Sequence, residues 1–287
     1  MDDEIQYPSG FGLCDVVGWG TTGLVVLDKS SNTIIKTPFD SRNEECICRM
    51  LRERQVYERF TEHGGHKGVL SYHGAVESGI RLEYAPNHNL RSYIEEHTIG
   101  IAQRLRWAIQ IAETITFIHG IGIIHGDLTC ANIFLDKNLN AKLADFAGSS
   151  IDRSPLLVVV TESHEFPGPL LSIRADLFAL GSVLYEIMTG HAPYYGLDET
   201  EIRARYLKGD FPDITSLQAF GAIIKKCWQG SYSESEIVLD NLRGMIFQTW
   251  QRELDIDVKQ HRKASPLFPL IYTQGQFLIS APIRQLK

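Results

Sequence analysis

The stretch from Ile123 to Asp136, IIHGDLTCANIFLD, constrains this chain more than any other. Apolar residues close both ends, so Ile123, Ile124, Ile133, Phe134 and Leu135 can anchor the segment in a core while His125, Asp127 and Asn132 stand on the loop between them. Asp127 and Asn132 lie five positions apart, a spacing that suits neither one helix face nor one strand face and so points to an irregular loop. Shortly afterwards, AKLADFAG places a second carboxylate, Asp145, behind a short strand-like run at 141–144. Two carboxylates and an amide converging on one spot offer the hard oxygen ligands that magnesium takes alongside substrate phosphates.

Other segments surround this loop in a definite order. Near the N-terminus, VVGWGTTGLVVLD (16–28) punctuates a β-rich run with Gly18, Gly20 and Gly23, and glycines let a backbone approach phosphates closely. The next strand, NTIIKTPF, carries Lys36 behind three β-branched residues that bury its stem and aim the ammonium inward. NEECICRMLRERQVYERF then reads as a helix whose apolar stripe is Met50, Leu51, Val56, Tyr57 and Phe60. IAQRLRWAIQIAETITFIHG, apolar at 101, 105, 108, 109, 112 and 115, forms a core helix leading into the loop. RADLFALGSVLYEIMTG is apolar nearly all round from Leu177 to Met188, so that helix must be buried.

HGDLTCAN followed by DFAG resembles the catalytic loop and metal-binding turn of the protein kinase superfamily, and the likeness runs over most of the chain. The glycine run matches that family's G-x-G-x-x-G-x-V form, with Val25 two after Gly23. The resemblance implies an α+β fold of two lobes, a small β-rich N-lobe (1–86) and a helical C-lobe (87–265), followed by a tail (266–287). It implies ATP and magnesium as cofactors, Asp127 as the base for the substrate hydroxyl, and Asn132 and Asp145 as metal ligands. Lys36 would hold the phosphates and pair with a helix glutamate, Glu53 in preference to Glu58. Leu82 would guard the back of the adenine pocket, the backbone of Glu83 and Ala85 would bond the adenine edge, and Gly18, Gly20, Gly23, Val25 and Phe134 would complete the nucleotide site. Asp176 would brace the catalytic-loop backbone.

Composition bounds the partners. The 287 residues are 44% apolar and 22% charged, which fits a sizeable core, and a net charge of -7 argues against a nucleic-acid or anionic-membrane surface. The five cysteines give no zinc pattern and point to a reducing compartment. The acidic N-terminus is not a secretory signal and no apolar run is long enough to span a bilayer, so an intracellular protein, cytoplasmic or nuclear, is expected. The apolar, proline-broken tail PLFPLIYTQGQFLISAPIRQLK is expected to pack on the surface or bind a partner.

Several family positions are altered. Gly126 stands where many kinases carry the arginine that receives an activation-loop phosphate. Thr129 replaces the lysine of serine/threonine kinases, Ala131 the arginine of many tyrosine kinases, and Ala147 the glycine of the metal turn. Ile34 replaces the alanine above the adenine and is expected to narrow the pocket. Glu165, which closes the activation segment, lacks its usual arginine in CWQGSYSESE and is expected to be exposed or to have been replaced together with its partner. The leading expectation is transfer to a protein hydroxyl, serine or threonine before tyrosine, on an unknown substrate. The alternatives are a pseudokinase scaffold and a small-molecule phosphotransferase of the aminoglycoside and choline kinase type, whose catalytic loop is also spelled HGD.

Overall fold

The computed structural model describes residues 6–20, 23–77 and 79–245. The tail at 266–287 and the 265/266 boundary therefore lie outside the described residues. Five antiparallel strands build the N-terminal sheet: β1 (Val16–Trp19), β2 (Gly23–Asp28), β3 (Thr33–Pro38), β4 (Tyr72–Val76) and β5 (Gly79–Glu83), in the order β1-β2-β3-β5-β4. One helix, α1 (Glu44–Glu62), packs on this sheet. Its start is set by Asn43, whose side chain accepts from the Glu45 and Cys46 amides and satisfies two otherwise unpaired donors. Met50, Val56, Tyr57 and Phe60 are buried as expected, but Leu51 is 50% exposed, because the buried face continues through Glu53 rather than Leu51.

Residues 84–89 link the sheet to a helical region of α2 (Leu90–Glu96), α3 (Ile101–Gly120), α4 (Ile173–Thr189), α5 (Glu199–Leu207) and α6 (Gln218–Trp228). In α3 the buried face runs through Trp107, Ala108, Ile111, Ala112, Ile115 and Ile118, while Ile101 is exposed at the helix start. The α4 helix is buried from Ala175 to Leu184 without interruption and packs against α6. Two small pairings sit on this region: β6 (Ile123–Ile124) with β9 (Ser150–Ile151), and β7 (Ile133–Leu135) with β8 (Ala141–Leu143).

The two regions have distinct apolar centres. Leu24, Val26 and Ile35 form a small cluster within the sheet, whereas the large cluster runs from α1 through the 123–135 segment to α6. All five cysteines are unpaired. Among the described residues no helix is long and apolar enough to cross a membrane.

Candidate active site

The polar loop is held from both sides. Ile123, Leu128, Cys130, Ile133 and Leu135 are fully buried, and Ile124 and Phe134 are partly so, which fits the alternation of short strands. Beneath the loop, Asp176 Oδ2 accepts the His125 amide at 2.7 Å and its Oδ1 accepts the Gly126 amide at 2.9 Å. His119 Nε2 lies 2.9 Å from the same carboxylate. Burial opposes the charge on Asp176, but the His119 contact and the backbone donors outweigh it and hold the carboxyl below its ordinary range. The His125 ring accepts the Asp127 amide at Nδ1 (3.2 Å), so Nε2 carries the proton toward the Ala144 carbonyl (3.1 Å). One imidazole thus ties the Asp127 loop to the Ala144–Asp145 turn.

Asn132 Nδ2 donates to the Asp127 carbonyl at 2.8 Å and to Asp127 Oδ2 at 2.9 Å. This leaves Asp127 Oδ1 buried and without a hydrogen-bond partner. Burial pushes the Asp127 carboxyl above its usual range, with the Asn132 bond pulling the other way. Asp145 adopts φ 61°, a left-handed conformation that aspartate tolerates better than most residues. Phe146 beside it is fully buried and meets the Phe60 and Tyr57 rings nearly edge-on, at centroid distances of 4.9 and 5.6 Å.

Lys36 Nζ lies 2.7 Å from Glu53 Oε2 and 2.7 Å from Asp145 Oδ1. Glu58 instead pairs with Arg54 at 2.7 Å on the outer face of α1. Burial alone would lower the Lys36 ammonium, but the Asp145 and Glu53 charges more than offset it and raise it. Lys36 in turn draws the Asp145 carboxyl down, and burial pushes Glu53 up. Gly23 is required by close approach, since a Cβ there would lie 2.9 Å from the Thr37 carbonyl and 3.7 Å from Lys36 Cε. Gly18 and Val25 face each other across β1 and β2, and the Gly20 amide closes the turn onto the Gly23 carbonyl at 2.8 Å.

Behind this group, Leu82 is buried and faces Ile34 across β3 and β5. The Glu83 amide donates to the Ser71 carbonyl, while its carboxylate takes Lys142 (3.2 Å) and the Ser71 hydroxyl (3.0 Å). Ala85 follows in the linker, and its amide has no backbone acceptor among the described residues. Phe134 bridges to Asn89 below. Of the expected site residues, Gly20, Gly23, Lys36, Asp127 and Asp145 border one cavity, with Asn132 bonded to Asp127 and Glu53 to Lys36 beside it.

The segment after the metal turn explains two glycines. A Cβ on Gly126 (φ +80°) would lie 2.6 Å from Leu156 Cδ2, and one on Gly148 would lie 2.4 Å from Val158 Cβ. Leu156 sits against the backbone of Gly126, and Arg52 of α1 bonds the Ser149 and Pro155 carbonyls. The expectation for Glu165 needs correction. It is half-buried and pairs with Arg203 of α5 at 2.6 Å, so its cation comes from α5 and not from the 227–236 segment in which it was sought.

The family model for protein tyrosine and serine/threonine kinases matches residues 16–236, which contain the lysine, both loops and the buried helix. The chain belongs to the protein kinase family. A probable serine/threonine-protein kinase of Dictyostelium discoideum is 29% identical over 79% of the chain and 26% of its own length. A tyrosine-protein kinase receptor of Caenorhabditis elegans is 26% identical over 77% of the chain and 22% of its own length. The serine/threonine-protein kinase STY17 of Arabidopsis thaliana is 26% identical over 65% of the chain and 35% of its own length. The chain thus spans about a quarter to a third of the length of these kinases.

The kinase cleft also fits the implied cofactors on chemical grounds. Among the described residues no group of three or more His, Cys, Asp or Glu could enclose a metal. Asp145 and the free carbonyl side of the Asn132 amide supply hard oxygen donors, a partial set of the kind magnesium takes when phosphate oxygens and water complete its octahedron. Lys36 is the cation beside these donors, its Nζ 2.7 Å from Asp145 Oδ1.

Proposed function

We propose that this kinase domain transfers the terminal phosphoryl group of ATP, with magnesium, to a serine or threonine hydroxyl of a protein. The observation that carries this reading is Asp127. Its Oδ2 is held by Asn132, while Oδ1 is buried, unpaired and attached to a carboxyl whose proton affinity burial has raised. An acceptor hydroxyl donating to Oδ1 loses its proton there as its oxygen bonds the phosphorus and the bond from phosphorus to the ADP oxygen breaks, with ADP as the leaving group. Lys36 orients the phosphates, and Asn132 and Asp145 hold the metal. Magnesium held by these two residues would supply positive charge against the phosphates. The adenine would lie between Ile34 and Phe134, with its edge on the Glu83 and Ala85 backbone. Serine or threonine is favoured over tyrosine because the Dictyostelium and Arabidopsis relatives are named as serine/threonine kinases.

The pseudokinase reading draws on Thr129, which is 4% exposed and brings no cation to the transferring group. Loss of one such donor costs on the order of 10²- to 10³-fold in rate, which slows transfer without forbidding it. Thermal-shift titration separates the readings at the first step. Stabilisation by ATP that requires magnesium is expected, and no shift at millimolar nucleotide would contradict nucleotide use.

A further inference from the structure

The family pattern accounts for Lys36 and Glu53 but not for a second cation in the same cleft. Arg49 stands one helical turn before Glu53 on α1, hence on the same face. It borders a cavity of about 60 Å³ together with Gly20, Gly23, Lys36, Asp127 and Asp145. Its Nε is buried and has no acceptor. Its Nη2 is occupied only by Glu45, at 2.7 Å, whose side chain is 68% exposed. An exposed pair four residues apart on a helix holds weakly and is readily exchanged.

We infer that Arg49 is a binding residue for the terminal phosphate of the nucleotide, exchanging Glu45 for phosphate oxygens when ATP enters. The inference rests on the kinase reading above. Three features favour it. A guanidinium presents N–H donors in a planar fork that matches phosphate, and here the residue borders the cavity while its Nε has no partner. Thr129 leaves the catalytic loop without the cation that would approach the transferring group, so α1 supplies one from the opposite wall. None of the described residues bordering the cavity carries a hydroxyl, so a phosphate beside Arg49 comes from a ligand rather than from one of these side chains.

The same chemistry has a second source, a phosphate on the segment after Gly148, and the test distinguishes the two. Affinities of Mg-ATP and Mg-ADP are measured by calorimetry for the full chain, for Arg49→Ala and for Arg49→Lys, with and without phosphatase treatment. Arg49→Ala is expected to weaken Mg-ATP about tenfold, to leave Mg-ADP within about twofold and to leave the nucleotide-free Tm unchanged. Arg49→Lys is expected to recover part of the loss, because it restores charge without the fork. An ATP-to-ADP affinity ratio unchanged by Arg49→Ala would overturn the inference, as would equal weakening of both nucleotides. If the substitution abolished a phosphatase effect and left that ratio alone, the phosphate would belong to the segment and the nucleotide assignment would fail. A wild-type chain that bound neither nucleotide would overturn the kinase reading itself.

Discussion

The cleft has two walls built on different principles. On the nucleotide side Lys36, Glu53 and Asp145 are held by opposite charges 2.7 Å apart, close to a buried carboxylate whose charge is costly to leave alone. Opposite it, the segment after Asp145 is bonded to α1 by Arg52 and Arg59 at its outer side, but where it meets the cleft it is held by shape: Leu156 rests on Gly126, Val158 on Gly148, and the Leu157 amide bonds the Gly148 carbonyl at 2.9 Å. A charge cluster responds to whatever brings new charge, such as metal or phosphate. A side chain seated on a glycine responds to volume. The first wall should therefore answer to nucleotide and the second to single methyl groups.

The largest break is expected from Lys36→Met or Asp145→Asn, which dismantle the charged wall alone. Magnesium-dependent ATP binding should be lost in calorimetry, while protease cleavage within 149–165 stays as in the parent. Lys36→Met also strands Glu53, which is 1% exposed, and removing one partner of a buried pair costs about 3–5 kcal/mol. Because burial already raises the Glu53 carboxyl, it should then take up a proton at higher pH than in the parent, so stability should fall less at acid pH than at neutral pH.

The converse break is Gly148→Ala. Its new Cβ would lie 2.4 Å from Val158 Cβ, which forces the segment away at a cost of about 1–3 kcal/mol. Faster proteolysis of the segment with ATP affinity kept within about twofold would sharpen the division between the walls. Equal loss of ATP affinity would erase it.

Much of the charged wall was legible in the sequence because strand and helix registers fix it. Lys36 follows a β-branched run, and Glu53 shares the buried face of Val56, Tyr57 and Phe60, whereas Glu58 falls on the exposed face. Asp176 was legible for the same reason, as the one acid in the first turn of a buried helix. The shaped wall was not. That Leu156 fills the space beside Gly126 depends on how an aperiodic segment folds back, and nothing in its local pattern encodes that contact. Arg203 as the partner of Glu165 likewise depends on how α5 sits against the segment's end. Leu51 and Ile101 misled because a short apolar stripe can be drawn through positions one step off the true face. Arg49 carried a weak signal, its spacing of four from Glu53, which has meaning only once Glu53 is known to face the cleft.

Smaller effects refine the same division. The raised Asp127 carboxyl must be ionised to accept a proton, so kcat should fall with acid along a limb whose midpoint lies above the ordinary aspartate value of about 3.9. Asn132→Ala should move that limb further up by removing the bond that favours the charged form. A limb at or below the ordinary value would contradict Asp127 as the base. Ile34→Ala should tighten ATP binding a few-fold if its branched side chain crowds the adenine, and an unchanged Kd would show that it does not cover the ring. The smallest effect belongs to phosphorylation. Ser149, Ser150 and Ser163 are buried, which leaves Ser154 and Thr161 as the accessible hydroxyls near the shaped wall. The Ser154→Ala, Thr161→Ala double variant and the phosphatase-treated parent should both transfer phosphate at the parent rate, since Gly126 offers no cation to a loop phosphate. A collapse in either would show that another arginine, such as Arg153 or Arg174, reads one.

The central claim is that Asp127 serves the acceptor while the charged wall serves the nucleotide. Transfer from radiolabelled Mg-ATP to generic protein substrates, measured for the parent and for Asp127→Asn alongside calorimetric ATP affinity, tests it most directly. The account predicts a parent that transfers and a variant slower by about 10²- to 10⁴-fold with Kd for ATP nearly unchanged. Equal rates in the two proteins, or a parent that binds ATP and transfers nothing, would contradict it.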